Sequence, residues 1–125
     1  MFSFSIFDKK NQRIYLVRDR VGIKPLFFYQ KDGYFLFSSE IKSFTSLNQF
    51  DSSIDKNSVA MFFRHGYIHS PYSIYEHVKK IKPGQFLELD LKNNHLKLKI
   101  YWNSNDYYNM KKFDISFDEA KSKLK

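Results

Sequence analysis

The sequence predicts an α+β domain in which antiparallel sheets carry most of the chain and short helices fill the gaps. Three observations lead there. Residues alternate apolar and polar with a period of two near the start and again around 85–102. Two strand pairs flank short turns, Asp32-Gly33 and Lys92-Asn93-Asn94. Helix-capping residues, Asp55 and Ser116, precede segments too short or too interrupted for long helices.

Met1 to Phe7 places Phe2, Phe4 and Ile6 on one side and Ser3 and Ser5 on the other, the pattern of a half-buried strand. Asp8 to Gln12 is a polar turn. Arg13 to Val17 is a second strand, with Ile14 and Leu16 opposite Tyr15 and Val17. Asp32-Gly33 joins strands over Leu26–Gln30 and Tyr34–Phe37, since glycine reaches positive φ without steric cost. These four strands are expected to form one antiparallel layer.

Ser39 is placed to cap a short helix through Ile41, Phe44 and Leu47. Asp55 caps another, its carboxylate accepting a first-turn amide, with Ile54 and Val59 at hydrophobic-staple spacing. Val59, Phe62 and Phe63 make its expected buried stripe, and Gly66 suits its stop. Tyr67 to Pro83 reads as loop, because Pro71 and Pro83 forbid a continuous helix. Gln85–Leu91 and Leu96–Trp102 form a second hairpin, with Leu96, Leu98 and Ile100 opposite Lys97, Lys99 and Tyr101.

Asn103 to Asp114 reads as a polar linker in which Tyr107, Tyr108 and Phe113 could pack locally. Ser116 and Glu119 form a capping box, and Phe117, Ala120 and Leu124 begin an apolar face. Only about two turns follow, and an isolated helix below about 12 residues is marginal in water. Together with a strand that begins at the first methionine, this points to a fold entered midway and cut short. Phe2, Phe4 and Ile6 would then lack an opposing layer and leave an apolar edge prone to aggregate.

A chain of 125 residues is one domain or less, and 42% apolar residues allow a modest core. No run approaches the roughly 18–20 apolar residues of a membrane-spanning helix. MFSFSIFDKK has no basic leader or small-residue cleavage site, so a cytoplasmic location is expected. The absence of cysteine excludes disulfides and thiolate metal sites. The formal charge of +8 raises the question of nucleic acid or anionic membrane. Lysine outnumbers arginine 17 to 4 and is scattered, so a solvated lysine surface is expected and neither partner is.

No residue set amounts to an active site. His65 and His69 have the spacing of a helical metal pair, but Gly66 and Pro71 argue against a shared helix face and no carboxylate accompanies them. No metal site is expected. Asp19 and Glu40 lie near strand ends, where acid–base groups often sit. The simpler reading is that Asp19 pairs with Arg18 or Arg20 to hold a turn and Glu40 favours a helix amino terminus. No G-x-S-x-G elbow activates a serine. Gly22 and Gly84 are isolated turn glycines near prolines, not a phosphate loop, and Lys24 is a lone turn lysine. Tyr29, Tyr34, Tyr101, Tyr107 and Tyr108 would be the stacking residues if the chain bound single-stranded nucleic acid.

Five ordered segments add a resemblance: MFSFSIFD (1–8), RIYLVRDRVGIKPLFFY (13–29), YFLFSSEIKSF (34–44), FFRHGYIHSPYSIYEHVKKIKPGQFLELD (62–90) and KIYWN (99–103). They resemble the second half of the glutaminase domain of glutamine-hydrolysing asparagine synthetases, class II glutamine amidotransferases. The resemblance implies part of an αββα sandwich over residues 1–103, then a linker and truncated first helix over 104–125 leading to a synthetase domain. In that family an amino-terminal cysteine attacks the glutamine amide. The second domain uses ATP and Mg²⁺ to adenylate aspartate, and ammonia displaces AMP.

The nucleophilic cysteine, the arginine for the glutamine carboxylate, the N-G-E segment and the aspartate for the glutamine amine all precede Met1 in the family. The SGGLDSS pyrophosphate loop follows Lys125. The resemblance therefore carries over no catalytic, substrate-binding or metal residue and no cofactor. It carries over Arg18, Asp19, Gly22, Lys24, Pro25 and Glu40 as structural motif positions. The expected partners are the amino-terminal glutaminase half and the ATP domain of a parent enzyme, for which a homodimer is one expected assembly, and the chain alone is expected to be inactive. The alternative is a stand-alone basic module, for nucleic acid or a protein partner, that has lost catalysis.

Overall fold

The structure, a computed structural model, describes residues 1–108 and 116–123, apart from the Tyr107 side chain. Its elements in chain order are β1 (Ser3–Asp8), β2 (Arg13–Arg18), β3 (Phe27–Lys31), β4 (Tyr34–Ser38), α1 (Lys42–Thr45) and α2 (Lys56–His65). Then come β5 (Val78–Lys80), β6 (Gln85–Asp90), β7 (His95–Ile100), α3 (Ser104–Tyr108) and α4 (Phe117–Lys123). The fold is α+β and every strand pairing is antiparallel.

The first four strands do not form one layer. β1 and β2 join β6 and β7 in a sheet ordered β1-β2-β6-β7, while β3 lies between β4 and β5 in a second sheet. Residues 19–26 carry the chain from one sheet to the other. Hairpin signals report which strands are neighbours, not whether consecutive hairpins share a sheet, and that choice is made by the loop's long-range bonds.

The two sheets enclose one core. Leu16 of β2 and Leu87 and Leu89 of β6 meet Leu26, Phe28 and Ile81, with Ile14, Phe35 and Leu96 at the margin. The opposite face of the second sheet buries Phe27, Tyr29 and Val78 against Phe44 of α1, with Phe50 and Tyr75 beside them. The run Leu26-Phe27-Phe28-Tyr29 is continuously apolar because alternate residues enter two different cores, and all four are buried. The Tyr29 hydroxyl, at the far side, donates to the Gln49 carbonyl and accepts from the Asp51 amide, both at 3.2 Å.

Several local signals act as expected. Asp32 and Gly33 have φ of 50° and 80° in the β3–β4 turn. Asp55 accepts from the Asn57 amide and the Ser58 hydroxyl, and Gly66 ends α2 in the left-handed region. Ser116 and Glu119 form their reciprocal box, the amide of each donating to the side chain of the other.

Others are corrected. Ser39 does not cap α1: the helix begins later, behind Ile41, and the Ser39 hydroxyl lies beside that of Ser3. In α2, Phe62 and Phe63 are exposed and Ser58 is the buried residue. Periodicity identifies residues that share a helix face, not what lies opposite, and this helix meets the body at its Asp55–Ser58 end. Leu98, Ile100 and Phe117 are also exposed. The stretch read as loop contains β5, whose two lysines hide its pattern. It exists through pairing with β3, with Val78 buried and the Lys80 ammonium over the Phe27 ring. α3 occupies part of the expected linker. Phe113, Leu124 and the Tyr107 side chain lie outside the described residues.

Candidate functional site

The densest polar construction is the crossover at residues 18–26. Asp19 follows β2 and is 3% exposed. One carboxylate oxygen accepts the amides of Val21, Gly22 and Ile23 at 3.0, 2.6 and 3.1 Å. The other accepts those of Lys24 and Phe2 at 3.1 and 3.3 Å. Burial pushes this carboxyl up, but the amides of Lys24, Ile23, Gly22 and Phe2 outweigh it and hold the group far below the usual carboxylate range. Asp19 therefore holds the turn through backbone amides and not, as its neighbours suggested, through Arg18 or Arg20.

Arg18 holds the same turn from the other side. Its guanidinium donates to the carbonyls of Lys24, Gly22 and Ile81 at 2.9, 2.7 and 2.5 Å. Burial lowers its pKa, partly offset by the Asp19 charge, yet none of these three bonds goes to a carboxylate. The Arg18 carbonyl accepts the Tyr101 hydroxyl at 2.7 Å, and burial raises that phenol's pKa. One side chain thus gathers the loop's carbonyls and the next gathers its amides, so a polar segment can cross between the sheets with its backbone satisfied.

The other motif positions serve the same turn or lie apart from it. Gly22 has φ of 75°, and a Cβ there would lie 2.5 Å from Pro83 Cγ. Lys24 contributes its backbone at both poles while its side chain is exposed. Pro25 fixes φ at the entry to β3 and is exposed. Glu40 is not gathered in. It is exposed and pairs with Lys42 at 3.0 Å, an arrangement worth little in water. Sequence reasoning read Gly84 as a turn glycine and Tyr101 as a stacking candidate, and tied neither of them nor Ile81 to this crossover. Their bonds to Arg18 and Asp19 span 63 to 83 residues, where no local pattern reaches.

A cleft of about 220 Å³ opens where the β1 edge faces β4, lined by Ser3, Phe4, Ser5, Leu26, Phe37, Ser38 and Ser39. It offers hydroxyls, but its lining includes no imidazole or carboxylate to activate one. Tyr29 is buried and leaves the set of stacking candidates, while Tyr34, Tyr101 and Tyr108 are exposed. Among the described residues no group of three or more His, Cys, Asp or Glu comes together, and no helix is long and apolar enough to cross a membrane.

The outer face of the four-stranded sheet is open. Register places Phe4 beside Val17 and Ile6 beside Tyr15, with Val17 beside Phe86 in turn. Phe4 and Ile6 on this face are 43% and 52% exposed, although their alternation is that of a buried face. The helix and loop layer over the second sheet has no counterpart here among the described residues, so three layers of an αββα arrangement are present.

Residues 1–102 match the family described as Glutamine amidotransferase domain. The chain is 38% identical over 109 residues to a Methanocaldococcus jannaschii protein provisionally named asparagine synthetase (glutamine-hydrolyzing) 2. That alignment covers 86% of this chain and 21% of the relative. It is 33% identical to asparagine synthetase (glutamine-hydrolyzing) 2 of Bacillus subtilis over 85% of this chain and 15% of that protein. It is 28% identical to the same organism's asparagine synthetase (glutamine-hydrolyzing) 3 over 98% and 20%. The chain thus spans a fifth or less of the length of these relatives, apart from 21% of the first. With two antiparallel sheets, a cross-braced crossover and a family match that spans every described strand, the chain belongs to the glutamine amidotransferase domain family.

Proposed function

We propose that this chain supplies the sheet scaffold of the glutaminase domain of a cytoplasmic, glutamine-hydrolysing asparagine synthetase, and that it is inactive by itself. The observation that carries the reading is the Arg18–Asp19 crossover. Its charged groups are engaged by the chain's own backbone, which suits a residue pair that fixes two sheets and not one that meets substrate.

The reaction in which the whole enzyme would take part is a coupled one. Water hydrolyses glutamine to glutamate and ammonia; ATP converts the aspartate β-carboxylate to an acyl adenylate and releases pyrophosphate; ammonia displaces AMP to give asparagine. A cysteine nucleophile has to come from outside this sequence, which contains none. The residues present do not fit ATP and Mg²⁺ either. The sequence holds four dispersed glycines and no phosphate loop, and the described residues form no acidic cluster. Both functions are assigned to the remainder of the enzyme. The open face bearing Phe4, Ile6 and Val17 is where we place its fourth layer.

Purified chain incubated with glutamine is expected to release no ammonia above the buffer rate. Ammonia release that scales with chain concentration and survives repurification would overturn the assignment.

A further inference from the structure

The end of α2 brings together a side-chain cluster that neither the scaffold nor the glutaminase reading uses. His65 is the last residue of α2, and Gly66 at φ of 77° turns the chain back on itself. Tyr67, Ile68 and His69 then return past the helix end. The His65 and His69 rings are 5.1 Å apart between centres at an interplanar angle of 69°. The pair does not share a helix face, as Gly66 and Pro71 indicate. The left-handed turn joins the rings instead.

A third donor lies beside them. The His69 amide donates to the Met61 sulfur at 3.3 Å, fixing the thioether next to His69 and leaving a second sulfur lone pair free of that bond. The return segment is held in place by further ties. The Tyr72 amide donates to the His69 carbonyl at 2.9 Å, and the Lys80 ammonium donates to the Ile68 carbonyl at 2.9 Å. Tyr67 packs edge-on against His69 with ring centres 4.4 Å apart.

We propose that Met61, His65 and His69 form a surface site for one soft univalent metal cation, Cu(I). The ring separation suits it. With metal–nitrogen bonds of about 2.0 Å, a metal lies about 3.2 Å from each imidazole centre, so two such rings at a tetrahedral angle have centres about 5 Å apart. The second torsion of histidine is broad, so each ring can aim a nitrogen at the shared point without moving the backbone. The donor set chooses the metal. A thioether with two imidazoles and no carboxylate favours Cu(I) over the harder divalent ions. A metal here would clamp the return segment to the helix end, across the left-handed turn.

The test titrates the 125-residue chain with Ag(I), the redox-inert probe for Cu(I), in chloride-free buffer, reading heat and histidine and methionine NMR signals. We expect one equivalent bound, with the His65, His69 and Met61 signals shifting and those of His77 and His95 unmoved. His65→Ala and His69→Ala should each weaken binding at least about tenfold. Met61→Leu should lower Ag(I) affinity while leaving the weaker Zn(II) binding to the two imidazoles unchanged. All three variants should keep the parent's circular dichroism, since neither imidazole belongs to either buried cluster and leucine preserves the volume at Met61. No saturable binding, binding that the two histidine variants leave unaltered, or shifts confined to His77 or His95 would each overturn the proposal.

Discussion

Asp19→Asn is expected to abolish the cooperative thermal transition of the chain. The substitution preserves size, but it replaces one acceptor oxygen by an amide donor amid five backbone amides that now share one carboxylate. Buried donors left without acceptors are among the largest single-site losses. The sign of the pH dependence follows from the same bonds. Asp19's carboxyl is depressed in the folded chain, so its stabilisation is fully present above the unfolded carboxylate range, near pH about 4, and is lost as pH falls toward the folded value. Asp51, depressed first of all by its bond to Lys31, acts in the same direction. The parent chain should therefore lose thermal stability progressively as pH is lowered through and below the unfolded carboxylate range, and the Asp19→Asn variant should lose less over the same range. A variant that melts cooperatively within a degree or two of the parent would remove Asp19 from its place at the crossover.

Gly84→Ala is expected to cost about 2–5 kcal/mol, the sum of a left-handed backbone and forced repacking. Gly84 has φ of 67°, and a Cβ there would lie 2.2 Å from the Trp102 carbonyl oxygen and 3.1 Å from its carbon. Those are backbone atoms of a segment that Gly84 itself holds, because its carbonyl accepts the amides of Tyr101 and Trp102 and its amide donates to Asp19. The strain would therefore pass directly into the crossover. Gly33→Ala supplies the comparison. Gly33 has a similar φ of 80° but nothing within 4 Å, so only the backbone cost of about 1–2 kcal/mol applies. Chemical denaturation of the two variants checks this, and equal losses would mean that the Trp102 contact does not govern.

The elements most legible in the sequence were those whose cause is local. Asp55, Gly66, Asp32-Gly33 and the Ser116–Glu119 box act through neighbours within a few residues, so their chemistry can be read directly. The continuous run from Leu26 to Tyr29 also announced a strand, although not that its two faces enter separate cores. What escaped was non-local. β5 is strand because β3 lies beside it, and the sheet switch at Asp19 depends on Phe2, Ile81, Gly84 and Tyr101. The apolar alternation of β1 was correctly periodic, yet its Phe4 and Ile6 face outward from the core, since a pattern names a face without naming its cover.

The same distinction applies to the site. Arg18, Asp19 and Gly22 were legible as a motif, and the structure shows why those residue types are needed there: a five-donor fork, a two-oxygen acceptor and a positive φ. Glu40 belonged to the same motif reading but stands on the surface with Lys42. His65 and His69 were set apart by the glycine between them, and that glycine is what folds one ring onto the other.

The most direct measurement of the central claim is a segment exchange. Residues 1–102 of this chain would replace the matching segment of Bacillus subtilis asparagine synthetase (glutamine-hydrolyzing) 2, and glutamine-dependent ammonia release by the purified chimera would be measured. A scaffold role predicts that the chimera hydrolyses glutamine and that adding Asp19→Asn to it abolishes the activity. A folded chimera that releases no ammonia, or one indifferent to Asp19→Asn, would contradict it.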